Sequence, residues 1–351
     1  MRQFLVQNTM SRANCANMLE LIREFGQLTR RQLEAATGLS WGGVTNMVNR
    51  LIGAGYVVEY KNASGTACGR VPGLLEINGE DHFTLGIDVN ETGLSACVLN
   101  LKNEKQAEFA LDADFSSPDA LRERIYALIE TALGAFADKH VMAIGVSMQG
   151  IVDSRNGISV RLPQCPGWQN VPLKALIEER FGKETLIAHD PDCMLLSYIS
   201  RTDDENVVLI RLDKSVGMAV ALDGEILTGS GLWEAAHMVV DPRGPVCACG
   251  ERGCLDAYVA ACAADGKSRY EALMALPVPL ATAAGNIVRL FRPERLILCG
   301  ELMKDQAYFH EAFLSLIHAS GVSVHTIADA RAAMEGAALM ASKHAIDHLE
   351  I

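Results

Sequence analysis

No run of about 18 uncharged apolar residues occurs in this sequence, and its first fifteen positions, MRQFLVQNTMSRANC, lack the apolar stretch of an export signal. These absences predict a cytoplasmic protein with no membrane insertion. Basic residues are also short: 31 Lys+Arg face 43 Asp+Glu, a net charge of −12, which by itself argues against a nucleic-acid binder. Charged residues reach only 21% while hydrophobic ones make up 49%, which excludes the disordered and low-complexity classes. What the chain does have is length: 351 residues exceed the size at which one core stops growing, so two or three folded units are expected. Its 10 cysteines, without an export signal, point to thiols or metal ligands rather than disulfides.

The charge is unevenly spread. Residues 1–80 carry 8 Lys+Arg against 6 Asp+Glu, so a mildly basic head sits on an acidic body, and DNA contact through the head alone is allowed. Met18, Leu19, Leu21, Ile22 and Phe25 have helical spacing and stop at Gly26. Thr29 and Gln32 form a capping-box pattern for a second helix ending at Gly38, and Ser40 caps a third that buries Val44, Met47, Val48 and Leu51. Helix, glycine turn and helix make a helix-turn-helix. Strands at Tyr56–Tyr60 and Leu74–Ile77 around a turn-rich segment make a wing. The exposed side of the third helix offers Trp41, Gly43, Thr45, Asn46, Asn49 and Arg50 to bases and phosphates, and Arg70 is placed to enter a minor groove.

Beyond Asn78–His82 the pattern becomes strands alternating with helices: Thr84–Val89, Leu94–Leu101, Lys105–Ala110, a helix over Pro118–Lys139, then Val141–Val146. A second series starts at Val207–Leu212 and continues through Gly217–Leu222 to Glu225–Leu227. Two lobes that each begin with a meander imply a duplicated α/β fold with a ligand cleft. The expected division is residues 1–80 and 81–351.

The segment GLWEAAHMVVDPRGPVCACGERGCLDAY, Gly231 to Tyr258, resembles the signature of the ROK family of sugar kinases and repressors, and the resemblance extends over essentially the whole chain. It implies a winged helix-turn-helix joined to a two-lobed, actin- and hexokinase-like (ribonuclease H-like) domain. Within the segment, the His237 imidazole and the thiolates of Cys247, Cys249 and Cys254 suit a tetrahedral, structural Zn2+ site in a loop over 237–254, with Gly250 and Gly253 letting the loop fold back. By resemblance, Asp190 stands where the kinases keep their general base, with His189 in place of the usual Asn. Glu234 and His237 match sugar-contacting residues, Asp256 stands where Glu is usual, and Gly150 and Gln164 match segments bordering the sugar.

The phosphate loops separate a kinase from a regulator. Where the family's kinases have glycine-rich turns, this chain reads Asp88-Val89-Asn90-Glu91-Thr92 and Asp213-Lys214-Ser215-Val216, and Cys299 replaces a glycine further on. Side chains and negative charge stand where backbone amides would approach a polyphosphate. The expectation is therefore no catalysis, with Asp190 a vestigial base, in a sugar-responsive transcriptional repressor that binds operator DNA and a sugar or sugar-phosphate effector as a homodimer or homotetramer. An ATP-dependent sugar kinase with a DNA-binding head is the alternative. Control by a protein regulator, with a vestigial cleft, is a third reading.

Overall fold

The computed structural model describes residues 11–61, 73–228, 235–263, 266–304, 313–317, 321–327, 331–349 and 351. The chain divides into two compact units, one of residues 1–148, 157–187 and 337–351, the other of 149–156 and 188–336.

The first unit opens with α1 (Ser11–Phe25), α2 (Arg30–Thr37) and α3 (Trp41–Gly53), then the hairpin of β1 (Val57–Lys61) and β2 (Gly73–Ile77). Local chemistry sets the helix ends. Thr29 and Gln32 cap each other reciprocally, and Gly38 closes α2 in the left-handed region at φ 68°. Ser40 accepts from the Gly43 amide at 3.3 Å to start α3. The helices bury the side their apolar spacing marks except for Phe25, which is 61% exposed: Met18, Leu19 and Ile22, then Leu33, then Val44, Val48 and Leu51 meet Leu75 and Ile77 in one core. Leu101, Ile346 and Leu349 complete that core from far along the chain.

The unit continues through β3 (His82–Asn90), β4 (Gly93–Asn100), β5 (Lys105–Leu111), α4 (Pro118–Ala135) and β6 (His140–Met148). After β7 (Ile151–Asp153), which belongs to the second unit, come β8 (Ile158–Arg161), β9 (Gln169–Val171), α5 (Leu173–Phe181) and β10 (Glu184–His189). The main sheet has the order β10-β6-β3-β4-β5. The helix expected over 118–139 stops at Ala135. Phe136 packs on Phe83, ring centroids 5.2 Å apart, and the chain uses the next residues to turn into β6, where His140 donates to the Asp81 carbonyl at 3.0 Å.

Besides β7, the second unit holds α6 (Asp190–Ile199), β11 (Val207–Leu212), β12 (Val216–Leu222), β13 (Glu225–Ile226), α7 (Leu255–Ala261), α8 (Gly266–Ala275), α9 (Pro277–Phe291), β14 (Arg295–Cys299) and β15 (Ser323–Ile327). Its sheet order is β13-β12-β11-β14-β15. In both sheets a central strand pairs antiparallel with the next strand and parallel with one that returns after a helix: β3 with β4 and β6, β11 with β12 and β14. This repeated order is the duplication anticipated from the two strand series. One helical stretch, Arg269–Phe291, is apolar and long enough to cross a membrane, but half of it is buried, with Leu280, Ala283, Ala284 and Ile287 in a core with Val208, Ile210 and Leu298.

The final helix, α10 (Ala332–Asp347), lies against the first unit's sheet from Ala337 onward. Thr84 donates to the Ala338 carbonyl at 3.1 Å, and a Cβ on Gly145 would stand 1.9 Å from the Ala337 oxygen, so only glycine permits this approach.

Candidate functional site

Strand β10 ends at His189, and α6 starts at once with Asp190, its Pro191 in the first turn. That proline fits the helix start because its missing N–H would have had no partner there. It lies so close to β12 that a Cβ on Gly217 would meet its ring at 2.7 Å, which fixes glycine at 217. Asp190 and Asp192 place carboxylates at the positive end of α6.

Asp190 is buried, its side chain 5% exposed, and its carboxylate is ion-paired with Arg211 of β11. The same guanidinium reaches Asp213 at 2.5 Å, and His189 Nε2 lies 3.3 Å from the other Asp190 oxygen. Burial, with Arg211 adding to it, depresses His189 to about 4, so the imidazole is neutral near pH 7. Burial pushes Asp192 up to about 7. Sequence reading found His189 and Asp190 but missed Arg211. Its signal was a single cation in the apolar run Val-Val-Leu-Ile-Arg-Leu, since a charge in a central strand needs a partner.

The two turns expected where the family's kinases have phosphate loops hydrogen-bond within the chain. The Val216 amide donates to Asp256 Oδ1 at 3.2 Å, and the Glu301 amide donates to Asp213 Oδ1 at 2.6 Å. In the β3–β4 turn the Thr92 amide donates to the Asn90 side chain at 2.8 Å, and the Asn90 side-chain amide donates to Asp88 at 2.6 Å. Ser147 donates to the second Asp88 oxygen at 2.7 Å. Asp256 therefore contacts a turn of its own unit. Gly150, at φ 85°, follows the end of β6, and Gln164 lies in the bend between β8 and β9 near the buried Trp168. Glu234 lies outside the described residues.

His237 ends a short helical turn, and Cys254 stands just before α7. Between them the chain doubles back. Val239 bridges Cys254, Val246 bridges Arg252, and the Cys247 amide donates to the Glu251 carbonyl at 2.8 Å. Gly253, at φ 73°, has the Asp241 carbonyl 1.6 Å from where a Cβ would be, so the fold-back requires glycine there. One ligand atom each from His237, Cys247, Cys249 and Cys254 lies within 4.8 Å of the others. His237 Nδ1 is 3.5 Å from the Cys247 sulfur, and the Cys249 and Cys254 sulfurs are 3.7 Å apart. Four ligands at metal–sulfur bonds of about 2.3 Å in a tetrahedron would be separated by about 3.8 Å, so this donor set fits zinc in both chemistry and spacing. The His237 ring nitrogen faces sulfur, which ties the residue to this cluster.

On α3, Trp41, Asn46 and Asn49 are exposed, whereas Gly43 and Thr45 are partly covered and the Thr45 hydroxyl is buried. The Arg31 guanidinium lies 5.0 Å over the Trp41 ring. Arg50 donates to the Ile351 carbonyl at 2.8 Å. Arg70 lies outside the described residues.

Residues 84–272 match the model of the ROK family. The xylose repressor of Bacillus spizizenii is 24% identical over 259 residues, 72% of this chain and 67% of the repressor. Matches to the first curated relatives span 61% to 67% of their own lengths. Among solved structures, a ROK family transcriptional regulator described as a homologue of the E. coli Mlc protein superposes with a TM-score of 0.81 at 22% identity, covering 97% of each chain. A ROK hexokinase from Thermus thermophilus superposes with a TM-score of 0.67 at 22% identity, covering 76% of this chain and 99% of the hexokinase.

Proposed function

Since the chain belongs to the ROK family, we propose that it is a sugar-responsive transcriptional repressor of carbohydrate genes, with residues 1–80 as a winged helix-turn-helix and 81–351 as a kinase-like effector domain without catalysis. The observation that carries this reading is the helical head of α1–α3 and the β1–β2 pair, which is additional to the kinase-like fold: a complete hexokinase chain accounts for only 76% of this one. The names of the relatives support it, since a xylose repressor and an Mlc homologue are among them.

In this reading Asn46 and Asn49 contact base edges, Trp41 and the flanks of α3 contact the backbone, and Arg70 enters the minor groove. Two heads in a homodimer or homotetramer would dock on half-sites about 34 Å apart. The effector is held around His189, Asp190 and Asp256, with Gly150, Gln164 and Glu234 as further contacts. Zinc is held by His237, Cys247, Cys249 and Cys254. Bound there it supplies folding free energy rather than catalysis, because the four protein donors leave no position open. Asp190 serves as an acceptor for a sugar hydroxyl, because Arg211 holds its carboxylate in an ion pair. The protein works in the cytoplasm.

The test is a mobility shift at stated salt, using a duplex selected by the full-length protein from a random-sequence pool, repeated with a panel of sugars and sugar phosphates. At least one should change DNA binding. Indifference to all of them would remove the effector from the reading, and ADP formation from ATP with any sugar would favour the kinase alternative.

A further inference from the structure

Recognition of a phosphate needs a cation or backbone amides free to point at it. Next to Asp190, among the described residues, one cation and two loop amides are already committed. Arg211 is divided between Asp190 and Asp213. The Val216 amide is taken by Asp256, and the Glu301 amide by Asp213. The positive end of α6 carries Asp190 and Asp192. His189, which could have lent a second positive charge, is buried beside Arg211 and stays neutral. Lys214 is the other cation of the β11–β12 turn, and its side chain is exposed. The carboxylates of Asp190, Asp213 and Glu301 outnumber Arg211 and Lys214, and Asp192 adds to them as it ionises.

The same groups suit an uncharged polyol. A carboxylate offers about four acceptor positions, so Asp190 keeps room for hydroxyl donors after pairing with Arg211, and a neutral imidazole can either donate or accept. We infer that the effector of this lobe is an unphosphorylated, uncharged sugar, and that built-in carboxylates on the anion-seeking amides exclude its phosphate esters and nucleotides alike. This inference rests on the proposal that the lobe binds a sugar, and it names the chemical class of that ligand.

The experiment is calorimetric titration of the full-length, zinc-loaded protein with matched pairs: glucose and glucose 6-phosphate, mannose and mannose 6-phosphate, N-acetylglucosamine and its 6-phosphate, with xylose added as a pentose. For the pair whose free sugar binds, the ester should bind at least about tenfold more weakly at low salt, the scale of one unpaired carboxylate near a phosphate. Asp213→Asn, which frees Arg211 of one partner, should narrow that gap. An ester that binds as tightly as its parent sugar, or more tightly, overturns the inference while leaving the sugar-binding reading intact. Binding of no free sugar and no ester overturns both.

Discussion

Arg211 pairs with Asp190 across the start of α6, and neither side chain is more than 19% exposed. This contact ties Asp190, which the resemblance places where the family's kinases keep a base, to a permanent cation. Breaking a buried pair from one side leaves a charge without compensation. Arg211→Met should therefore cost about 3 kcal/mol. Adding Asp190→Asn in the same chain should return part of it, because Asp190 is then neutral while Asp213 still lacks its cation. Urea unfolding of the two single variants and the double variant gives the coupling energy, and additive losses would show that the pair contributes nothing of its own.

The pH dependence of this cluster has two opposed parts. His189 is depressed to about 4 in the folded chain, against about 6.5 unfolded. Its contribution is present above about 6.5 and is lost as pH falls toward 4, because the unfolded state takes up the proton first. Asp192 is raised to about 7, against about 3.9 unfolded, so its contribution is present at low pH and is lost as pH rises toward 7. In the native chain the two slopes offset between about 4 and 6.5. Asp192→Asn should uncover a loss of stability on acidification through that window, and His189→Asn should uncover a gain. Urea midpoints measured from pH 4 to 8 read both, and parallel curves for the two variants would contradict the assignment.

Much of this architecture was legible in the sequence because it is local. The Thr29–Gln32 cap, the Gly38 stop, the Ser40 cap and the paired strand series all depend on neighbours within a few residues. The Cys247, Cys249 and Cys254 cluster was legible for the same reason. Arg211 was not, since its partners lie on α6 and beyond β11, and the apolar strand around it conceals its role. Arg50 illustrates the same limit: helical spacing marks it as facing outward, yet it donates to the Ile351 carbonyl, a partner at the far end of the chain.

Zinc should be measurable directly. The Cys254 thiol is pushed up to about 12 by burial and by the neighbouring Cys249 and Cys247 sulfurs, so without a cation Cys254 stays protonated, whereas a backbone hydrogen bond at Glu251 pulls Cys249 down. Cys254→Ser should abolish stoichiometric zinc measured by elemental analysis. It should also lower the unfolding midpoint of the second unit, while the native protein should lose the same stability to a chelator. Full zinc content in the variant would rule out the cluster as the site.

The head core depends on residues near the other end of the chain. Ile346 is 1% exposed and Leu349 fully buried among Leu19, Ile22 and Leu51. Leu349→Ala should cost about 2–5 kcal/mol through the cavity it leaves. The loss should appear as faster amide exchange in α1 and α3, with the second unit's protection unchanged. Exchange confined to the end of α10 would mean that the head stands without it.

Asn46 and Asn49 lie on the exposed side of α3, while Val44, Val48 and Leu51 are buried on the other. Replacing either Asn by Ala removes no core contact and should leave the unfolding midpoint and zinc content as they were. If these amides pair with base edges, each substitution should weaken binding to a selected duplex by about 1–3 kcal/mol and relax preference at one position per half-site. Arg70→Ala, as a groove or phosphate contact, should instead weaken binding more evenly across sequences and reduce its salt dependence. Quantitative binding to the selected duplex and to single-base variants, at two salt concentrations, separates the roles. Unchanged affinity in both Asn variants would move the DNA-reading surface away from α3.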